Sequence, residues 1–112
     1  MRVFDAARLV DGRSDEAVDD ARLVVRDDGT VAAAGPREGV DAPPDADRVE
    51  FPESTIVPGF VDAHVHLQGA RSMDVADWTT TPDSLAAARA TADLRSLVRA
   101  GFTSVRDLGS TV

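Results

Sequence analysis

Between residues 60 and 108 the chain reads strand, helix, strand, and this order limits its fold more than any other feature. Residues 60–66, FVDAHVH, follow a Pro-Gly pair and have the apolar, β-branched flavour of a buried strand. Thr81-Pro82-Asp83 then starts a helix: Thr81 as N-cap, Pro82 at the first helical position, Asp83 near the positive end of the dipole. The helix should run to about Ala100 and stop at Gly101, a glycine just past the end. Ala87, Ala90, Leu94, Leu97 and Val98 recur at helical spacing on one side, with Arg89, Arg95 and Arg99 off that stripe. FTSVRDL at 102–108 reads as the second strand. Two strands joined through a single helix must be parallel, with a right-handed connection. Such a unit leaves edges and faces uncovered, so it belongs in a larger α/β sheet or barrel.

The first fifty residues read differently. RVFDAARLV at 2–10 is a short strand ending at Asp11-Gly12, and 13–20 is a polar loop. In ARLVVRDDGTVAAAG, two β-prone runs flank Asp28-Gly29, which predicts a hairpin with a two-residue type I′ turn. Leu23 and Val25 would share one face of the first strand, and Val31 and Ala33 one face of the second. Residues 35–47 hold three of the six prolines and form a loop. RVEF at 48–51 is a short strand closed by Pro52. The expectation is a small antiparallel β module over 1–55 and a parallel α/β segment over 56–112.

Two histidines, His64 and His66, carry the chemistry, and they are the only two in the chain. Side chains alternate along a strand, so residues two apart project to one side. Two imidazoles there could bind one metal ion through ring nitrogens, and Asp62 falls on the same side. They sit at the carboxyl end of the strand, where parallel α/β folds carry their sites, and Gly69 lets the chain turn away. His-x-His on a strand is also common without metal. A cupin uses the same pair but needs a nearby Glu and an all-β surround; no Glu follows Glu53, and a long helix does. Arg106 and Asp107, on opposite faces at the carboxyl end of the second strand, are candidates for substrate contact or for a local loop cap. Nothing distinguishes Asp74, Asp77 and Trp78 from ordinary polar loop residues.

Composition narrows the function. Twenty acids face twelve bases, a formal net charge of −8, and every base is Arg. That surface repels phosphates, which argues against nucleic-acid and anionic-membrane partners. It suits a salt-rich setting, where screening removes self-repulsion, and also follows from GC-rich codon usage. No Cys is present, so disulfides and thiolate metal sites are excluded. No signal-like or membrane-spanning apolar run occurs, giving the expectation of a cytoplasmic protein.

PGFVDAHVHLQG resembles the signature of the amidohydrolase superfamily, and AGFTSVRDLGS, at 100–110, resembles the second barrel strand of its dipeptidase and imidazolonepropionase-like branch. The DDGTVAAAGP hairpin matches the small sandwich domain that precedes the barrel in such enzymes. The resemblance implies an α/β fold: N-terminal β-sandwich strands over 1–55, then the first βαβ unit of a TIM-like (β/α)8 barrel over 56–112. It implies His64 and His66 as ligands of a divalent metal, most often zinc, which activates water for attack on an amide, ester or cyclic C–N bond. It gives Asp62 a supporting role beside the ligands. A full barrel has eight strands and needs roughly 200 to 250 residues. Two of the eight are here, and the family's later ligands and proton-shuttle Asp have no counterpart. The expectation is therefore an N-terminal portion of an enzyme acting on small amide or dipeptide substrates, with no catalytic residue of its own. Its alternative is a non-catalytic module or remnant that docks with a partner chain, or another copy, supplying the rest of the barrel.

Overall fold

The computed structural model describes residues 1–67 and 74–110 and divides the chain into two compact units, Met1–Pro58 and Gly59–Val112. The turn assigned to Gly69 and the stretch 68–73 lie outside the described residues.

The first unit is a four-stranded sheet of β1 (Arg2–Leu9), β2 (Val18–Val25), β3 (Val31–Pro36) and β4 (Asp47–Ile56), in the order β3-β2-β1-β4. The predicted hairpin is β2–β3, but its turn is not type I′. The Gly29 N–H donates to the Arg26 carbonyl (3.0 Å), and the Arg26 N–H to the Thr30 carbonyl (2.8 Å). Only Gly29, at φ 84°, is left-handed; Asp28 is not. This is a three-residue loop in which one αL glycine follows a tight turn. Asp28 closes it by accepting the Thr30 N–H (2.9 Å) and hydroxyl (2.6 Å).

Two other expectations for this unit fail. β4 pairs with β1 in parallel, so the sheet is mixed rather than antiparallel. Pro52 does not close β4, which continues to Ile56. β4 is an edge strand, where a missing N–H need not interrupt a ladder, and the register slips between Ala6 and Arg8 opposite the proline. One face of the sheet buries Val3, Val24 and Val40 against Ala32, Ala33, Ala42 and Ala46. On that face the buried Asp5 carboxylate accepts both Nε (2.7 Å) and Nη2 (3.0 Å) of Arg22, whose Nη1 donates to the Val40 carbonyl (3.1 Å).

The second unit holds β5 (Phe60–Val65), α1 (Val75–Thr80), α2 (Asp83–Arg99) and β6 (Phe102–Asp107). β5 and β6 are parallel, as a single crossover requires. Phe60 and Phe102 meet edge to face at their starts, ring centres 5.7 Å apart. α2 begins one residue later than expected. Pro82 is its N-cap, while the Thr81 hydroxyl donates to the Asp77 carbonyl (2.6 Å) and so finishes the short helix α1. Gly101, at φ 93°, ends α2 as expected.

The buried stripe of α2 is rotated from the expected one. Ala86 and Ala90 are buried and Leu97 half-buried, whereas Ala87, Leu94 and Val98 are exposed. Arg89, expected off the core side, lies half-buried, and its Nη1 is buried without a hydrogen bond among the described residues. The helix carries two apolar stripes about a quarter-turn apart, and periodicity alone does not say which one a sheet will cover.

Candidate metal centre

Both histidines come from the carboxyl end of β5, His64 within the strand and His66 one residue past it. Both are exposed. Their rings lie side by side, centres 5.3 Å apart and planes at 70°, as the two-residue repeat predicts. Ladder pairing of β5 with β6 is irregular between Asp62 and Val65. There the Asp62 carboxylate accepts the backbone N–H of His64 (3.0 Å). Asp62 thus braces the strand beside His64.

The His66 ring has a defined partner. Its Nδ1 lies 2.9 Å from the Gly109 carbonyl oxygen, on the segment that leaves β6. A carbonyl only accepts, so Nδ1 carries a proton, and in the neutral form of the ring Nε2 keeps its lone pair. Trp78 of α1 lies beside the same ring, centres 6.0 Å apart and planes tilted by 34°.

Arg106 and Asp107 separate in role. Asp107 is opposite Val65 in the ladder, and the Leu108 N–H donates to the Val65 carbonyl (3.1 Å). The Asp107 carboxylate accepts the Ser110 hydroxyl (2.5 Å), the Gly109 N–H (2.7 Å) and the Leu67 N–H (3.3 Å). The Ser110 hydroxyl first, then the Gly109 N–H, hold its pKa below the ordinary carboxylate value, with the Leu67 N–H and the nearby His66 adding to the same effect. Arg106 is exposed and forms no ion pair among the described residues.

An open pocket of about 390 Å³ runs between Val65, His66 and Leu67 at the strand end and Asp93, Ser96 and Leu97 on α2. A larger one, about 510 Å³, belongs to the first unit, is lined mostly by apolar side chains such as Leu9, Leu23 and Ile56, and contains neither histidine. The chemistry follows the imidazoles, not the larger volume. Among the described residues no third His, Asp or Glu completes a group able to hold a metal ion. Gly109 and Ser110 are not among the residues expected at the site, and Trp78 reads in the sequence as an ordinary loop residue. Asp-Leu-Gly-Ser after a strand is a readable signal for a side chain that caps its own loop; nothing in the sequence marks Trp78.

The sequence profile of the Amidohydrolase family matches residues 55–112. The dihydroorotase of Anaeromyxobacter sp. (strain K) is 42% identical over 65 residues, 58% of this chain and 14% of that protein. The 5-methylthioadenosine/S-adenosylhomocysteine deaminase of Nitratidesulfovibrio vulgaris is 34% identical over 108 residues, 81% of this chain and 24% of that protein. Among solved structures, a prolidase complexed with N-methylphosphonate-L-proline superposes with a TM-score of 0.82 at 29% identity, over 96% of this chain and 26% of the prolidase. The chain thus spans a quarter or less of the length of these two curated relatives.

Proposed function

This chain belongs to the amidohydrolase family, and we propose that it forms the sandwich strands and the first barrel strands of a metal-dependent hydrolase of carbon–nitrogen bonds. The fold is that of the barrel-forming relatives: strands of a small sheet, then the first βαβ unit of a (β/α)8 barrel. His64 and His66 are two ligands of a divalent ion of the zinc class. The observation that carries this reading is the spacing of the rings. Two imidazoles on one tetrahedral zinc, each bound at about 2.0–2.1 Å, have ring centres about 5 Å apart; these two are 5.3 Å apart. The proton on His66 Nδ1 leaves Nε2 as a donor, which also fits.

When bound, such an ion lowers the pKa of a water and polarises the bond under attack. The chain's own residues hold and orient. Asp62 braces the backbone of His64, Gly109 fixes the His66 ring, and Trp78 shields one side of it. A catalytic zinc site takes three protein ligands and a water, so two histidines bind metal weakly and do not complete the chemistry. The substrates in this reading are small amides or dipeptides, in a cytoplasmic and salt-rich setting without nucleic-acid or membrane partners. The acidic charge supports that setting.

The test is a zinc titration of the 112-residue chain. Weak binding should be lost in His64→Ala and in His66→Ala, with no zinc-dependent hydrolysis of dipeptides or cyclic amides. Zinc binding indifferent to both substitutions would end the ligand assignment, and robust hydrolysis would end the view that these residues need others.

A second reading, a module that docks with a chain supplying further barrel strands, is favoured by exposed apolar residues in the second unit, notably Val61 and Val98 at 67% exposure each. Co-purification with a chain carrying further His and Asp ligands supports it. A monomer that binds no hydrophobic dye counts against it.

A further inference from the structure

The hydrogen bonds around Asp107 do more than cap a loop. Its Oδ1 takes the Gly109 N–H (2.7 Å), and its Oδ2 takes the Ser110 hydroxyl (2.5 Å) and the Leu67 N–H (3.3 Å). One carboxylate therefore grips the residue that follows His66 and the residue whose carbonyl meets the His66 ring. Gly109 sits at φ 139°, a conformation L side chains rarely adopt, although a Cβ there would meet nothing within 4 Å. Conformation, not space, reserves that position for glycine. Its N–H reaches Asp107 while its carbonyl reaches His66 Nδ1 at 2.9 Å. Free imidazole in water has no such partner to choose its tautomer, and metal ligands gain affinity when an outer partner chooses it for them.

We propose that Asp107 is a positioning residue: by tying the Leu67 and Gly109 backbones together it aims the Gly109 carbonyl at His66, holds the ring proton on Nδ1, and leaves Nε2 ready for a metal. The metal part rests on the reading of His66 as a ligand; the tautomer part does not. The carboxylate acts through Gly109 and touches neither ion nor substrate.

Ring-nitrogen NMR of the metal-free chain, at a pH of about 8 where an ordinary imidazole is neutral, tests the tautomer directly. His66 in the unaltered chain should be in the Nδ1–H form; an Nε2–H form overturns the proposal without any variant. In Asp107→Ala, His66 should shift toward Nε2–H while the His64 signals stay put, which separates a local effect from general loosening. An unchanged His66 in a folded variant overturns the proposal. Asp107→Asn keeps an acceptor for the Gly109 N–H and should retain more of the Nδ1–H form than alanine does; the reverse order also counts against it. Zinc titration of the same samples should show at least roughly a 10-fold loss of affinity in Asp107→Ala. Absence of zinc binding in the unaltered chain defeats the ligand reading alone, and the tautomer result then stands by itself.

Discussion

At the scale of single residues, the strongest electrostatic commitment is Asp5 with Arg22. Asp5 is 4% exposed, and the guanidinium meets it through two nitrogens. Removing one partner of a buried pair costs about 3 kcal/mol where the other charge is left alone, but Arg37 Nη1, 3.8 Å from Asp5 Oδ2, keeps part of the compensation here. Arg22→Ala should therefore lower stability by less than about 3 kcal/mol, and Arg22→Ala with Arg37→Ala by more, in urea unfolding followed by circular dichroism. An exposed pair such as Arg8–Asp19 should cost well under about 1 kcal/mol by the same measurement. The Arg22 guanidinium also holds the Asp5 pKa below its ordinary 3.8. A depressed carboxylate gives its full stabilisation above the unfolded-state value and loses it as pH falls through the folded value. Acid titration of Arg22→Ala should accordingly show a shallower loss of stability below about pH 4 than the unaltered chain. Asp107 behaves in the same sense, because the Ser110 hydroxyl and the Gly109 N–H stabilise its charged form.

At the scale of elements, the start of β5 is held by a close approach. A Cβ added at Gly59 would collide with Thr103 Oγ1 and stand 2.8 Å from Thr103 Cβ. β6 thus packs its Thr103 side chain against the bare backbone of Gly59, immediately before β5. Gly59→Ala should cost about 1–3 kcal/mol, read from Trp78 fluorescence, which reports on the second unit alone because the chain has one Trp. The loss should be smaller in a Thr103→Ala background, where two of the three crowding atoms are gone. Strict additivity would show that the two strands do not meet there. The sequence announced the Pro-Gly pair but not its reason, because Thr103 is distant along the chain and close only through the parallel register. The same holds for α2. Its start and its end at Gly101 were legible to within a residue, being set by local chemistry. Its buried side was legible only in part: Ala90 and Leu97 lie on the expected stripe, but Ala86 replaces Ala87, Leu94 and Val98, because what packs on the helix makes that choice.

At the scale of the whole molecule, charge and uncovered apolar surface decide behaviour. The net charge of −8 makes compaction work against self-repulsion. Exposed ion pairs such as Met1–Asp27 are weak, and salt screens them too. Repulsion is the larger effect, so the urea midpoint should rise between about 0.1 M and about 1 M KCl. A fall would mean that the surface pairs outweigh it. Val61 and Val98 leave the second unit with exposed apolar surface. No helix among the described residues is long and apolar enough to cross a membrane.

Sequence by itself determined what depends on neighbours along the chain. It set the alternation that puts His64 and His66 side by side, the strand-helix-strand order that makes β5 and β6 parallel, the hairpin around Gly29 and the end of α2 at Gly101. Tertiary structure decided what depends on neighbours across it. Pro52 is tolerated because β4 is an edge. The sheet is mixed because β4 lies beside β1. Asp107 becomes a brace for His66, rather than one more loop carboxylate, because register Val65–Asp107 brings the ends of two strands together. Spacing reveals which residues share a face, but a hydrogen-bond partner forty-three residues away, as Gly109 is for His66, exists only once the sheet has formed.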